Sequence, residues 1–106
     1  MAVIKADDSQ IKDLVSGNEK VIIKYYADWC GNCRLFAPKY KRISDNEQYA
    51  GITFLDVNAE HSPEARKLAG VTNLPFFASF RNGELQEGIA ASKEEAVLEL
   101  INNLNK

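Results

Sequence analysis

The chain contains two cysteines, Cys30 and Cys33, and their spacing is the feature best able to support chemistry. An apolar, β-prone stretch over residues 21–26 leads directly to them, and a segment able to form a helix follows. A strand that delivers a Cys-x-x-Cys pair to the first turn of a helix is typical of a redox site. The free N–H groups and positive dipole end of that helix favour the thiolate of Cys30. Cys33, one turn later, can attack a mixed disulfide formed by Cys30.

The same spacing also occurs in structural zinc sites and in permanent disulfides. Structural zinc binds four ligands, and this chain offers two cysteines and one histidine, His61, so a zinc site would need ligands from a second chain. A permanent disulfide would close a very short loop, and the stabilisation from a cross-link grows with loop length. We therefore predict a redox-active pair and no metal site.

Composition limits the remaining possibilities. A length of 106 residues, with 45% hydrophobic and 26% charged residues, fits a single domain spanning residues 1–106. The net charge of −2 argues against nucleic acid or an anionic membrane as the main partner. No apolar run approaches the roughly 18–20 residues of a membrane helix. The N-terminus turns acidic at once and lacks the apolar core of a signal peptide, so we expect a cytoplasmic monomer in a reducing compartment.

Hydrophobic periodicity and turn residues predict five strands and four helices. The strands are expected over residues 2–5, 21–27, 51–57, 76–80 and 84–90, with an Asn82-Gly83 hairpin turn between the last two. The helices are expected over residues 8–16, 30–49 with a kink at Pro38, 63–69 with Ser62 as its cap, and a final helix that follows a capping box at residues 92–95. Right-handed β-α-β connections make the early strands parallel, and the hairpin adds an antiparallel pair. This order predicts a mixed sheet between helices.

Over nearly its whole length the chain resembles the thioredoxin family. The resemblance rests on features in the right order and at near-family spacing: the Trp29-Cys30-Gly31-Asn32-Cys33 signature, Pro38, the Leu74-Pro75 pair, the turn at residues 80–83 and the closing amphipathic helix. The fold that this resemblance implies is α/β, with a central five-stranded sheet in the order 1-3-2-4-5 and four flanking helices.

The resemblance also implies roles for individual residues. Cys30 resembles the nucleophile and Cys33 the buried resolving cysteine. Trp29 would shield the site and offer substrates a flat apolar surface. Pro75 would follow a cis peptide bond and lie against the disulfide, while the backbone of Leu74 would pair with an extended substrate strand.

Two departures from the family pattern lie close to the cysteines. Asn32 stands where most members have Pro. It restores a backbone N–H near Cys30, so we expect the reduced form to be favoured and the site to be a weaker reductant than a Gly-Pro version. Lys24 stands where members usually have a buried Asp, and Phe54 takes the place of that acid's usual Lys partner. Lys24 could be a buried proton carrier, could stay charged and lower the thiol pKa values, or could reach solvent beside a carboxylate such as Asp56.

A third departure concerns the substrate groove. Ala90 and Ala91 occupy the region where the family has Gly, so added methyl groups could narrow the groove. Phe76 is bulkier than the usual Thr. Ala90 and Ala91, with Trp29, Leu74 and Pro75, are the expected substrate-binding positions.

The sequence therefore predicts a thiol–disulfide oxidoreductase that reduces protein disulfides through Cys30 and Cys33. It predicts no bound cofactor, because the chain has no room or motif for a flavin or nicotinamide, so a separate thioredoxin reductase would restore the dithiol. Two alternatives remain open at this point. One is a disulfide oxidase or isomerase in an oxidising compartment, and the other is a binding module with a thioredoxin-like surface.

Overall fold

Stretches rich in β-branched and aromatic residues form the strands of the computed structural model, which describes residues 3–106. The strands are β1 (Ile4–Ala6), β2 (Lys20–Tyr26), β3 (Ile52–Asn58), β4 (Phe76–Arg81) and β5 (Glu84–Ala90). The α-helices described are α1 (Ile11–Ser16), α2 (Gly31–Ser44), α3 (Pro63–Ala69) and α4 (Glu94–Leu104). All five predicted strands are confirmed within a residue or two, although the predicted start of the first, at Ala2, lies outside the described residues.

The strands form one sheet in the order β1-β3-β2-β4-β5, as predicted. β3 is parallel to both β1 and β2, and β4 is antiparallel to β2 and β5. The β4–β5 turn has positive φ at Asn82 (52°) and Gly83 (84°), which is the geometry that an Asn-Gly hairpin favours. β2 is central and its residues 21–25 are buried, so it is a rigid base for the cysteines that follow it.

Two apolar clusters lie on opposite faces of the sheet. On one face, α1 and α3 pack against side chains such as Ile23, Tyr25 and Leu55. On the other face, α2 and α4 pack against Ile22 and Phe77 among others. Within residues 3–106, no helix is both long and apolar enough to cross a bilayer.

Helix α2 contains Pro38, as expected, but the prediction that it runs to residue 49 was wrong. The helix ends at Ser44, and a separate 3₁₀ turn covers Glu47–Tyr49. The break occurs because Asn46 is extended (φ −74°, ψ 124°) and its side chain accepts the N–H of Gln48 at 2.9 Å. An Asn side chain that bonds nearby backbone in this way competes with continued helix.

Helix α1 begins three residues later than predicted, because Asp7 organises a turn before it. The Asp7 carboxylate accepts the N–H and hydroxyl of Ser9, and its carbonyl accepts the N–H of Gln10 and Ile11. The predicted end of α1 at Gly17 is confirmed. Gly70 ends α3 in the left-handed region (φ 60°), also as predicted.

Ser62 is the N-cap residue of α3, as predicted, but its side chain makes no capping bond. Instead, Asp8 accepts the N–H groups of Glu64 (3.0 Å) and Ala65 (2.8 Å) from a distant part of the chain. Helix α4 begins one residue later than a capping box at Ser92 requires, so Lys93 is its N-cap and offers no side-chain acceptor.

Candidate active site

The turn between β2 and α2 places the cysteines at the carboxyl end of the central strand. Cys30 is the N-cap of α2, with extended backbone, and it is joined to Cys33 by a disulfide. The Cys30 Sγ also accepts the N–H of Cys33 at 3.2 Å. Only 5% of Cys30 and 2% of Cys33 is exposed, so Cys30 is the more accessible of two largely covered cysteines. A backbone donor aimed at the Cys30 sulfur at a helix N-terminus stabilises negative charge there.

Trp29 forms the exposed rim of the site. It is 67% exposed, and its Nε1–H donates to the Glu60 carboxylate at 2.7 Å. This bond fixes the indole beside the cysteines while leaving its surface open. Sequence reasoning missed Glu60, because no local pattern connects it with a tryptophan so distant in the chain.

Four of the five predicted substrate-binding residues line one open groove, and the fifth, Trp29, is not part of its lining. The peptide bond between Leu74 and Pro75 is cis, as the family resemblance implied. Leu74 packs against the cluster formed by Ala27, Cys30 and Cys33. A cavity of about 230 Å³ is lined by the predicted residues Asn32, Leu74, Pro75, Ala90 and Ala91, together with Asn73 and Ser92, which were not predicted.

The backbone of Leu74 is free to bind an extended chain. Among residues 3–106, neither its N–H nor its C=O makes a hydrogen bond, whereas the neighbouring Pro75 carbonyl accepts the N–H of Ala91 at 3.2 Å. A free amide and carbonyl are the groups that pairing with an extended chain requires.

Phe76 follows Pro75 in the chain, is buried, and packs against a glycine. The ring packs edge-on to Tyr25, with 6.2 Å between ring centroids. A Cβ built on Gly88 would lie 3.0 Å from two carbons of the Phe76 ring, so the absence of a side chain at residue 88 makes room for the bulky residue.

Lys24 is buried behind the disulfide and paired with a carboxylate. It is 3% exposed, and its Nζ lies 3.4 Å from Asp56 Oδ1, its register partner on β3. Burial lowers the pKa of Lys24, and the nearby Asp56 charge partly opposes this shift. Of the three outcomes left open, solvent exposure was wrong, although the expected partner Asp56 is confirmed.

Phe54 lies two residues before Asp56 on β3 and is the register partner of Ile22. Its ring packs against the Tyr40 ring, with 5.6 Å between the ring centroids. Tyr40 in turn donates to the Leu55 carbonyl at 2.8 Å and lies 5.3 Å from Lys24 Nζ, measured to its ring centroid. Aromatic packing therefore fills the space beside the ion pair.

One small cavity is lined by both this ion pair and Cys33. Its volume is about 180 Å³, and its lining includes Cys33, Lys24, Asp56, Lys5 and Arg34. Among residues 3–106, no three His, Cys, Asp or Glu side chains are placed to hold a metal ion.

The fold and the site define a thiol–disulfide oxidoreductase: a Cys-x-x-Cys disulfide at a helix N-terminus, beside a cis-proline and an open groove. A family model described as Thioredoxin matches residues 2–104, and the chain belongs to the thioredoxin family. Members of this family are protein-disulfide reductases that act on disulfide substrates and are themselves reduced by thioredoxin reductase.

Individual relatives agree with this assignment. Thioredoxin-1 of Schizosaccharomyces pombe is 33% identical over 87 residues, which cover 82% of each protein. Thioredoxin 1 of Plasmodium falciparum is 28% identical over 101 residues, or 95% of each protein. The crystal structure of a Malassezia sympodialis thioredoxin superposes with a TM-score of 0.90 at 22% identity, covering 100% of this chain and 96% of that one, and so shares the fold.

Proposed function

We propose that Cys30 is the nucleophile and Cys33 the resolving cysteine of a cytoplasmic, monomeric protein-disulfide reductase that acts as a single domain, residues 1–106. The observation that carries this assignment is the position of Cys30 as the N-cap of α2, with its sulfur accepting the Cys33 N–H at 3.2 Å. A thiolate at that position gains from the helix dipole and from a backbone donor, whereas Cys33 lies within the first turn.

The reaction has two exchange steps. The Cys30 thiolate attacks a substrate disulfide, forms a mixed disulfide and releases the first substrate sulfur as a thiolate. The Cys33 thiolate then attacks the Cys30 sulfur, forms the Cys30–Cys33 bond and expels the second substrate sulfur as a thiolate. A thioredoxin reductase supplies the two electrons that restore the dithiol.

Substrates bind as an extended segment along the groove. The free backbone groups of Leu74 support pairing with such a segment, and Pro75, Ala90 and Ala91 line its path. Trp29, fixed by Glu60, offers a flat apolar surface at the rim, while Gly31 and Asn32 form the turn that presents the cysteines. Lys24 supports the site from behind through its ion pair with Asp56.

The test is reduction of insulin disulfides with NADPH and thioredoxin reductase as the electron source. The wild type should turn over and Cys30→Ser should be inactive, while Cys33→Ser should trap a mixed disulfide with the substrate. Iodoacetamide labelling of the reduced protein at neutral pH should modify Cys30 first. Equal and slow labelling of both thiols, or turnover by Cys30→Ser, would contradict the assignment.

A further inference from the structure

We propose that the groove selects substrate disulfides whose cysteine lies within two residues of a side-chain amide, and that Asn32, Asn73 and Ser92 determine this preference. The inference rests on the proposed function, because it names the substrate class of that same site. It assigns a role to three polar side chains that the exchange reaction does not use.

Three residues with polar side chains come from separate parts of the fold to line the groove. Asn32 lies in the first turn of α2, Asn73 in the loop before β4, and Ser92 in the segment after β5. They share one cavity of about 230 Å³ with the cis-proline and its neighbours. A small number of polar groups that converge on one cavity is typical of a site that orients and selects its ligand.

All three side chains have unused hydrogen-bonding capacity. They are exposed, and among residues 3–106 none of the three makes a side-chain hydrogen bond. Each asparagine amide has two donors and an accepting oxygen, and the serine hydroxyl both donates and accepts. A substrate that covers these groups removes their water, and an apolar side chain offers no bond to replace it. The groove therefore disfavours an apolar side chain at this point.

The cavity also lacks a charge that could balance an ionised substrate side chain. Among residues 3–106, none of those that line it is charged. Lys93, the next residue after Ser92, lines a separate cavity with Lys39. A carboxylate only accepts hydrogen bonds and an ammonium group only donates them, and either is costly to cover without an opposite charge. A side-chain amide donates and accepts without carrying a charge, so it matches the asparagines and the serine.

The selecting residues act close to the sulfur that is attacked. Leu74 packs against the cluster that contains Cys30, and its free backbone groups are the proposed partners of the substrate segment. An extended chain advances about 3.3 Å per residue and directs alternate side chains to opposite faces. A substrate residue one or two positions from the cysteine therefore places its side chain in the cavity beside Leu74.

The test uses the reduced, full-length protein and synthetic peptide disulfides in single-turnover reactions, stopped with acid and analysed by chromatography. Each substrate is a symmetric dimer of one peptide, with its cysteine among alanines and with Gln, Met or Glu at one of the two positions on either side. Met is similar in length to Gln but lacks the amide, and Glu has nearly the same shape but carries a charge. For at least one position, the second-order rate constant for Gln should exceed those for Met and Glu about tenfold, mainly through tighter binding.

Variants of the protein show whether the named residues cause the preference. Asn73→Ala combined with Ser92→Ala should reduce the preference for Gln to about twofold. The control Asn103→Ala removes an exposed asparagine from α4 and should retain the full preference. Asn32 is left unchanged, because a substitution there also alters the reduction potential.

A charged variant gives a readout that a merely structural role would not move. Asn73→Asp adds a negative charge to the groove, so a peptide with Lys at the selected position should react about fivefold faster than with the wild type. The corresponding Glu peptide should react more slowly than with the wild type.

Equal reduction of the Gln, Met and Glu peptides at every position would overturn the inference while leaving the proposed function intact. A preference that survives in the Asn73→Ala, Ser92→Ala double variant would also overturn it, as would loss of the preference in Asn103→Ala, because the selecting residues would then lie elsewhere. Failure of the wild type to reduce any of the peptide disulfides would contradict the proposed function and this inference together.

Discussion

The N-terminus of helix α3 depends on an aspartate from a distant part of the chain. Asp8 accepts the N–H groups of Glu64 and Ala65, the second and third residues of the helix, at 3.0 and 2.8 Å. These are the donors that an N-cap side chain ordinarily satisfies. The adjacent Ser62 is 1% exposed and its Oγ has no hydrogen-bond partner among residues 3–106. Removing the Asp8 side chain and removing the Ser62 hydroxyl are therefore expected to have opposite effects on the stability of the protein.

Asp8→Ala removes the acceptor for both N–H groups. Loss of an N-cap lowers protein stability by about 0.5–2 kcal/mol, and we expect about 1.5 kcal/mol because two donors lose a charged partner. For a chain of this size that corresponds to a fall in Tm of about 8 °C. Helix α3 has seven residues, which is too short to be stable without its cap and packing.

Ser62→Ala removes a buried hydroxyl that makes no bond. Because burial of an unsatisfied hydroxyl is unfavourable, this variant should be as stable as the wild type or more stable by up to about 1 kcal/mol. Asp8→Asn keeps one acceptor oxygen but loses the charge, so it should lie between Asp8→Ala and the wild type.

The measurement is urea unfolding of the oxidised proteins followed by far-ultraviolet circular dichroism. With an m-value unchanged, the loss in Asp8→Ala should move the midpoint down by about 1 M urea. The reasoning is refuted if Ser62→Ala loses more than about 1 kcal/mol while Asp8→Ala is unaffected, because the local serine would then be the cap.

Three other predictions concern the site, the groove and the core. Asn32→Pro should lower the reduction potential by about 10–20 mV in a glutathione titration. The substitution removes a backbone N–H near Cys30 that stabilises the thiolate by about 0.5–1 kcal/mol, and an unchanged potential would contradict this. Gly88→Ala should destabilise by about 1–2 kcal/mol in urea, because the new Cβ meets the Phe76 ring at 3.0 Å, and Phe76→Leu in the same protein should restore most of the loss. Burial raises the pKa of both Tyr25 and Tyr40 above the ordinary value of 10.0. Ultraviolet titration at about pH 11 should therefore detect these two residues as phenolate only after unfolding. The free energy of unfolding should fall as the pH rises above 10.0, because only the unfolded chain releases these protons.

The features that were predicted correctly depend on residues close together in the chain. β2 follows from a run of β-branched and aromatic residues, and the β4–β5 hairpin follows from Asn82-Gly83, whose positive φ values the structure confirms. The position of the cysteines at the start of α2 also follows from local pattern. The family resemblance contributed the sheet order and the cis bond before Pro75, which local pattern alone did not determine.

The features that were missed depend on contacts between distant residues. Asp8, and not the N-cap residue Ser62, supplies the side-chain acceptor at the start of α3, and Glu60 accepts the bond from Trp29. In both cases the fold brings together segments that no local signal connects. The burial of Lys24 was left open for a related reason. Whether a lysine on a strand is covered depends on the aromatic and charged side chains that neighbouring elements place over it, and here these include its register partner Asp56.

The turn between β4 and β5 has a practical consequence. β4 runs antiparallel to β2, with Arg81 opposite Lys20, so Asn82 and Gly83 lie beside the beginning of β2, whereas the cysteines follow its end. The Asn82 N–H donates to the Glu19 carbonyl at 2.8 Å, which anchors this corner of the molecule. A fluorophore, an affinity tag or a surface tether attached here would sit at the pole opposite the redox centre. A protein immobilised through this turn would have its two cysteines facing the solution, where disulfide substrates can reach them.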